Sequence, residues 1–458
     1  MRGDDGAPVT VLGDATPRSL TRAVVDRVRP LRFDLMPEPV RRTAVHCVLD
    51  VVGVAVVGST TPPATLVRAE MFDERSSGPA GVVGDPRRLP AAAAALVNGT
   101  AAHALDFDDV SAAMGGHPST VVLPAALAAA ERHGLDGPEM LAAFVAGVET
   151  ACLVGRLMGP EHYARGFHTT ATVGAVGAAA TAAHAAALDE DGWCRALGIA
   201  ATRAAGLKSM FGTMTKPLHA GFAAETGVRA ASLAARGFTA HRDVLGAEQG
   251  FREVLGGTGV LPPEGAFDIL DVLFKRHASC FLTHSSVEGL LRLREQGLRA
   301  DEVEAVRLRV PPGHLRVCAI PDPTTPLEAK FSLRHTAALA LVTGDLSERS
   351  FTAESPADPR LAAVRERVDI VARADDSPAT EVRVRRRHGP ELVAEVDVSV
   401  PDPATPSELD RREVVLRRKL LGLVEPHVGA DRTARMLTAI EGLPTARTLD
   451  DLRAAVAV

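Results

Sequence analysis

The chain of 458 residues is 46% hydrophobic and 24% charged, with a net charge of −6 and only 3% aromatic residues. That balance suits a soluble globular protein with a core large enough for two or three domains. Neither a long run of one charge sign nor a supply of stacking aromatics is present, which argues against a nucleic-acid surface.

Residues 1–17 read as a flexible lead-in without the apolar core of a signal peptide, so the expected location is the cytoplasm. Five cysteines (Cys47, Cys152, Cys194, Cys280 and Cys318) form no CxxC pair, as in a reducing compartment without disulfides or a zinc finger. From residue 18 to 264 the apolar spacing is helical, as in "EPVRRTAVHCVLDVVGVAVVG" and "GPEMLAAFVAGVETACLVGRLMG". The second of these opens at Gly137-Pro138, a helix-start signal. The uncharged run from Gly166 to Leu188 is rich in Ala, Gly and Thr. It reads as a buried helix packed through small residues rather than a membrane span.

The texture changes at "LPPEGAF". Between 265 and 401 come "VEAVRLRVPP", "VDIVARA", "EVRVRRRHG" and "ELVAEVDVSV", all alternating with period two, and Gly389-Pro390 suggests a hairpin between the last two. "THSSVEGLLRLREQG" and "SLRHTAALALVTGD" add helical stretches. Residues 402–458 return to helix. The expected fold is mainly α: a helical domain built from both ends of the chain (18–264 and 402–458), interrupted by a smaller α+β domain (265–401).

Four polar motifs sit at expected helix starts. In "HALDFDDVSAAMGGHPST", His103, Asp106 and Asp109 recur every third residue, as on one helix face, and Gly115-Gly116 would end that helix before His117. Asp108 and Asp109 together read as a solvated corner. His168 precedes threonines that could cap a helix. Lys216 precedes Pro217, with a helix expected near His219. Ser285 and Glu288 form an expected capping box behind Lys275, Arg276, Cys280 and His284. Taken alone, Lys275 and Arg276 read as a surface pair, and His103 as structural as readily as functional. Only five lysines stand among 51 basic residues, so each lysine is singled out.

Helix N-termini carrying His and Lys offer N–H donors and positive charge, the chemistry that holds carboxylates. The expected ligand is a small polycarboxylate. His103, Asp106 and His117 could also be read as metal ligands, but no HExxH or clustered Cys/His spacing accompanies them, and no metal is expected. Neither GxGxxG, GxxxxGK[ST] nor GxSxG occurs, so no nucleotide cofactor or serine nucleophile is expected.

The phrases "LVNGTAAHALDFDDV", "GGHPSTVVLPAALAAAE", "GFHTTATVGAVGAAA", "GTMTKPLHAGFAAETG", "FKRHASCFLTH" and "PLEAKFSL" together resemble the MmgE/PrpD family over about residues 20–440. That family includes 2-methylcitrate dehydratase, cis-aconitate decarboxylase and iminodisuccinate epimerase. The resemblance implies a helical domain with a smaller lid domain, a homodimer, and catalysis without metal or other cofactor. It carries active-site roles to Asp106, His117, His168, Lys216 and Lys275, with Cys280 and His284 following. Two positions depart from the family. Val110 stands where decarboxylase members carry threonine, and His335 stands where many members carry tyrosine.

The chemistry expected is a carbanion or enolate beside a carboxylate, held by lysines and neutral imidazoles. Lys216 and Lys275 would bind carboxylates, His117 and His168 would move protons, Asp106 would orient an imidazole, and His335 would serve as a further proton donor. His103, His219, Arg276, Cys280 and His284 would line the substrate. A lyase, either dehydratase or decarboxylase, on a di- or tricarboxylate is the first expectation. An epimerase using the same carbanion is the second, and a non-catalytic helical binding protein the third. No membrane or nucleic-acid partner is expected.

Overall fold

The computed structural model describes residues 19–74 and 77–457. Helices α1 (Leu20–Val28), α2 (Glu38–Gly58), α3 (Pro62–Asp73), α4 (Ala91–His103), α5 (Ser119–His133), α6 (Gly137–Ala164), α7 (Thr169–Ala185), α8 (Glu190–Ala201) and α9 (Thr215–Ala235) make the first part of the helical domain. A hairpin of β1 (Ala80–Val82) and β2 (Asp85–Leu89) interrupts them, where an unbroken helical pattern is expected from the sequence. Its strands are too short to show a period, and Arg87 and Arg88 face solvent.

Helix α9 is the hub, packing on α4, α7, α8 and α5. Small residues permit the close approach. A Cβ at Gly99 on α4 would lie 2.9 Å from the Cα of Gly221 on α9. A Cβ at Gly177 on α7 would meet both the backbone oxygen of Gly147 and the side chain of Ala151 on α6, each at 2.9 Å. The Ala/Gly/Thr-rich run is therefore a buried core helix, α7. Helix α6 starts at a full capping box: Asp136 accepts from the Glu139 N–H and Glu139 accepts from the Asp136 N–H. It is long and apolar enough to cross a membrane, and 94% of its most apolar window is buried within the fold.

After the short α10 (Phe251–Val254), an irregular linker is anchored on α6. Glu149 accepts the N–H groups of Asp268 and Ile269, and Arg156 pairs with Asp268. The second unit contains α11 (His284–Glu295), β3 (Val303–Val310), α12 (Pro312–Leu315), α13 (Pro326–Ala329), α14 (Leu333–Val342), α15 (Pro359–Arg365), β4 (Val368–Ala372), β5 (Thr380–Arg386) and β6 (Leu392–Val396). Its sheet has the order β4-β3-β5-β6, parallel for β3–β4 and antiparallel elsewhere, with α11 and α14 packed on it. All four strands are those marked by alternation in the sequence, and Gly389 turns the β5–β6 hairpin at φ 94°. Helices α16 (Pro406–Val428), α17 (Ala430–Gly442) and α18 (Asp450–Val456) follow, and α16 returns to pack on α2. The fold is thus mainly α with a smaller α+β domain.

Candidate active site

Helix α4 ends at His103, and Asp106 then adopts φ 52°, in the left-handed region that a short polar side chain tolerates. His103, Asp106 and Asp109 therefore do not share a helix face, contrary to the spacing argument. No helix precedes Gly115-Gly116 either. Gly115 has φ 68°, and a Cβ at Gly116 would lie 2.9 Å from the Thr170 nitrogen, so this turn docks directly on the start of α7. The His117 N–H donates to Thr170 Oγ1 at 3.2 Å and fixes that docking. Helix α9 begins at Thr215, earlier than expected, so Lys216 and His219 share its first turn and one face.

These elements bring together most of the residues singled out in the sequence. Lys216 Nζ donates to Asp106 Oδ1 at 2.7 Å and to His103 Nε2 at 2.9 Å. Lys275 Nζ donates to the same Oδ1 and to the Asp106 carbonyl, both at 2.9 Å. Asp106 Oδ2 is buried with no hydrogen-bond partner among the described residues. The rings of His103 and His117 are 4.8 Å apart, and those of His103 and His168 5.8 Å apart. His168 Nδ1 and His219 Nδ1 share a hydrogen bond at 3.1 Å. His103, Asp106, His168, Lys216 and Lys275 are at most 4% exposed.

Burial opposes charge on Asp106, but Lys216 and Lys275 outweigh it and hold the carboxyl well below its ordinary range. Lys275 is likewise resisted by burial and held above the usual lysine value by Asp106. Burial pushes His103 down to about 3 and His168 well below the imidazole range, so both are neutral near pH 7. His117 is lowered by burial too.

Asp108, read from the sequence as part of an exposed corner, is the carboxylate that orders the imidazoles. It contacts His103 Nδ1 at 2.9 Å and His117 Nδ1 at 3.2 Å, and these two rings hold it ionised against burial. His117 Nδ1 also faces the Asp109 carbonyl at 2.8 Å. Since a carbonyl only accepts, the proton of neutral His117 sits on Nδ1 and Nε2 carries the lone pair. The same logic puts the His103 proton on Nδ1, leaving Nε2 to accept from Lys216.

Asp109 is also fully buried, not solvated. It accepts from the Ser119 N–H at 3.2 Å and pairs with the Ser119 hydroxyl. Burial, with Asp50 nearby, pushes its carboxyl up to about 8.

Other expectations need correction. His335 is buried, but its Nε2 meets Ser355 Oγ at 3.0 Å and its Nδ1 meets Arg365 at 3.2 Å, so both ring nitrogens are taken by partners outside the cluster. Arg276 is exposed and lies 3.8 Å from Glu288, because its chain neighbour Lys275 takes the inward direction. Glu288 caps nothing: α11 begins at His284, and Glu288 binds His277 at 3.0 Å. His284 is buried against the Ser279 carbonyl, and Cys280 lies beside Cys318, whose thiol hydrogen bond lowers the Cys280 pKa. All five cysteines are free.

Two lysines not assigned a role from the sequence belong to this centre. Lys330 Nζ donates to the carbonyls of Leu105 at 2.5 Å and Ala278 at 2.9 Å. Lys419 Nζ donates to Asp50 Oδ1 at 2.6 Å and to the carbonyls of Phe107 at 2.7 Å and Lys275 at 3.1 Å. Four of the five lysines therefore turn their ammonium groups inward, Lys419 with a side chain still 10% exposed, while Lys208 lies half-buried over the Tyr163 ring. The scarcity of lysine was the available signal.

Among the described residues, His103, Asp108 and His117 form the only grouping with metal-ligand composition, their donor atoms lying within 4.8 Å of one another. Both Nδ1 atoms already donate to oxygen acceptors, and the Lys216 ammonium sits against the His103 ring, so the set suits proton handling better than a cation. A cavity of about 740 Å³ lies between residues 272–288 and α16. It touches Lys275, His284 and Lys419 but none of the rings of His103, His117, His168 or His219.

The MmgE/PrpD N-terminal domain model matches residues 22–262, and the MmgE/PrpD C-terminal domain model matches residues 277–443. The chain is 29% identical over 412 residues to cis-aconitate decarboxylase of Homo sapiens, covering 85% of this chain and 82% of that protein. It is 28% identical over 413 residues to the enzyme of the same name from Mus musculus, with the same coverage. Against cis-aconitate decarboxylase of Aspergillus terreus (strain NIH 2624 / FGSC A1156) it is 30% identical over 286 residues, 58% of each chain. With both domain models matched around a buried Asp–Lys–His centre, the chain belongs to the MmgE/PrpD family and is an enzyme.

Proposed function

We propose that the protein is a metal-independent lyase that removes CO2 from an unsaturated tricarboxylate of the cis-aconitate class. The carrying observation is the convergence of Lys216 and Lys275 on one oxygen of Asp106, against neutral imidazoles. Two ammonium groups sharing one carboxylate oxygen leave cationic character to hold substrate carboxylates in a dry site, where such contacts are strong. The names of the relatives favour decarboxylation over dehydration.

In the reaction, the bond to the departing carboxylate breaks and CO2 leaves. The bonding pair passes into the adjacent unsaturated system, where lysine contacts stabilise the developing charge. A proton then joins carbon. His117 is the assigned donor: its Nε2 takes a proton from solvent, Asp108 steadies the imidazolium across 3.2 Å, and the proton is passed on. His168, paired with His219, is the second proton-handling group. His335 receives no role, since its nitrogens are occupied elsewhere. The family resemblance also supports a homodimer, which light scattering would report as twice the 47.9 kDa chain mass.

The test is NMR of the protein with cis-aconitate in D2O. Loss of CO2 with one carbon-bound deuterium in the product supports the reading. Water addition or loss would reassign the enzyme as a hydratase-type lyase. Deuterium exchange at a stereocentre without loss of mass would make it an epimerase.

A further inference from the structure

Three consecutive peptide carbonyls in the loop after α4 each accept from a different buried lysine. Leu105 accepts from Lys330 at 2.5 Å, Asp106 from Lys275 at 2.9 Å and Phe107 from Lys419 at 2.7 Å. Two of these lysines also reach across to the segment that carries Lys275. Lys330 donates to the Ala278 carbonyl at 2.9 Å, and Lys419 to the Lys275 carbonyl at 3.1 Å. Between them, Val110 and Leu273 exchange backbone hydrogen bonds, both at 2.8 Å.

We propose that Lys330 and Lys419 are positioning residues, two staples that bind the Leu105–Phe107 loop to residues 275–278 and so hold Asp106 and Lys275 in register. Irregular buried backbone needs partners for its carbonyls, and neither a helix nor a sheet supplies them here. An ammonium group suits the task because its donors diverge from one point at the end of a long stem, whereas a guanidinium presents a flat fork. Lys330 follows the short α13 of the smaller domain, and Lys419 lies on α16 of the helical domain, so the loop is gripped from both. Asp106 sits at φ 52°, a conformation that persists only when its surroundings impose it. Burial lowers Lys330 to about 8, and a neutral amine keeps two hydrogens, enough for its two carbonyls.

This inference goes beyond the decarboxylase reading and is tested without it. Lys330→Met and Lys419→Met keep the stem and remove the donors, with Arg307→Met on the exposed face of β3 as the control. Hydrogen exchange is followed by mass spectrometry. The expected result is exchange at least ~10-fold faster in residues 103–110 and 272–280 of either lysine variant, with α7 unchanged. With an active substrate in hand, kcat should fall ~10- to 100-fold while KM stays within about 3-fold, the signature of displaced rather than deleted chemistry. Unchanged exchange in both segments, or acceleration spread across the whole chain, would overturn the proposal. Should neither variant fold, the unaltered protein decides. The Asp106 and Cys280 amides, which bond to the His103 and Lys330 carbonyls and not to each other, are expected to share one opening free energy and one urea dependence, and separate openings would overturn the staple.

Discussion

Asp109 shows how one side chain can be misjudged from its neighbours. The pair Asp108-Asp109 looks hydrophilic, yet the two carboxyls have opposite environments. Two imidazoles keep Asp108 ionised, while burial and nearby Asp50 raise Asp109 to about 8. Near neutral pH the folded state therefore holds Asp109 largely protonated, and the unfolded chain does not. Asp109→Asn should preserve both Ser119 contacts and fold normally, whereas Asp109→Ala should lose ~2–3 kcal/mol by chemical denaturation. A second prediction concerns Lys216. Lys216→Met strips one ammonium from Asp106 and the donor from His103 Nε2, so kcat should drop ~10²- to 10³-fold. Lys216→Arg should not restore it, because a planar fork does not replace a point charge. His117, His168 and Lys216 were singled out by the glycine, proline and cap residues around them, whereas His103 read as structural as readily as functional and Asp106 and Lys275 took their roles from the family resemblance. The role of Asp108 was not legible, because it depends on the left-handed turn at Asp106, and an aspartate at that position carries no local sign of it.

At the level of helices, the distance between His103 and Lys216 is set by how closely α4 and α9 approach. Gly99 and Gly221 face each other at that crossing, and a side chain at Gly221 would meet the Leu96 carbonyl and the Thr100 hydroxyl. Gly221→Ala should force the helices apart at a cost of ~1–3 kcal/mol and depress kcat more than KM. Steady-state kinetics beside a denaturation curve would check it; full activity at reduced stability would mean that the spacing is slack. The sequence showed these helices through their period and start signals, and the four sheet strands through clean alternation. It did not show the β1–β2 hairpin, whose strands of three and five residues give alternation no length in which to appear. Nor could it show that Glu288 serves His277 rather than a helix cap, because either partner lies within reach of the same side chain.

For the molecule as a whole, buried titrating groups set the response to pH. Burial lowers His46 and His103 to about 3, and His219, His314 and His335 to about 4. Below about 6.5 the unfolded chain takes up protons that these folded imidazoles refuse, so stability should rise with pH up to that point. Asp109 and Glu149 act in the opposite sense. Each is raised to about 8 by burial, so the stability it contributes is present below the ordinary carboxyl pKa and is lost as pH climbs to about 8. Five imidazoles outweigh two carboxyls on the acid side, the carboxyls dominate between about 6.5 and 8, and above about 8 Lys330, lowered by burial, acts against them. Urea midpoints between pH 4 and 9 should therefore crest near about 6.5 and fall toward 8, with the descending limb shallower in Asp109→Asn. The texture change at "LPPEGAF" and the return of helix after 402 were readable in the sequence. Which faces meet was not, because the sequence does not say that α16 returns to α2. The inward placement of lysine has a practical outcome at the other extreme of the molecule, its skin. Positive charge there is carried by guanidinium groups, so among the lysines a reagent selective for primary amines should label Lys208 first, giving a nearly single-site side-chain handle for dyes or tethers.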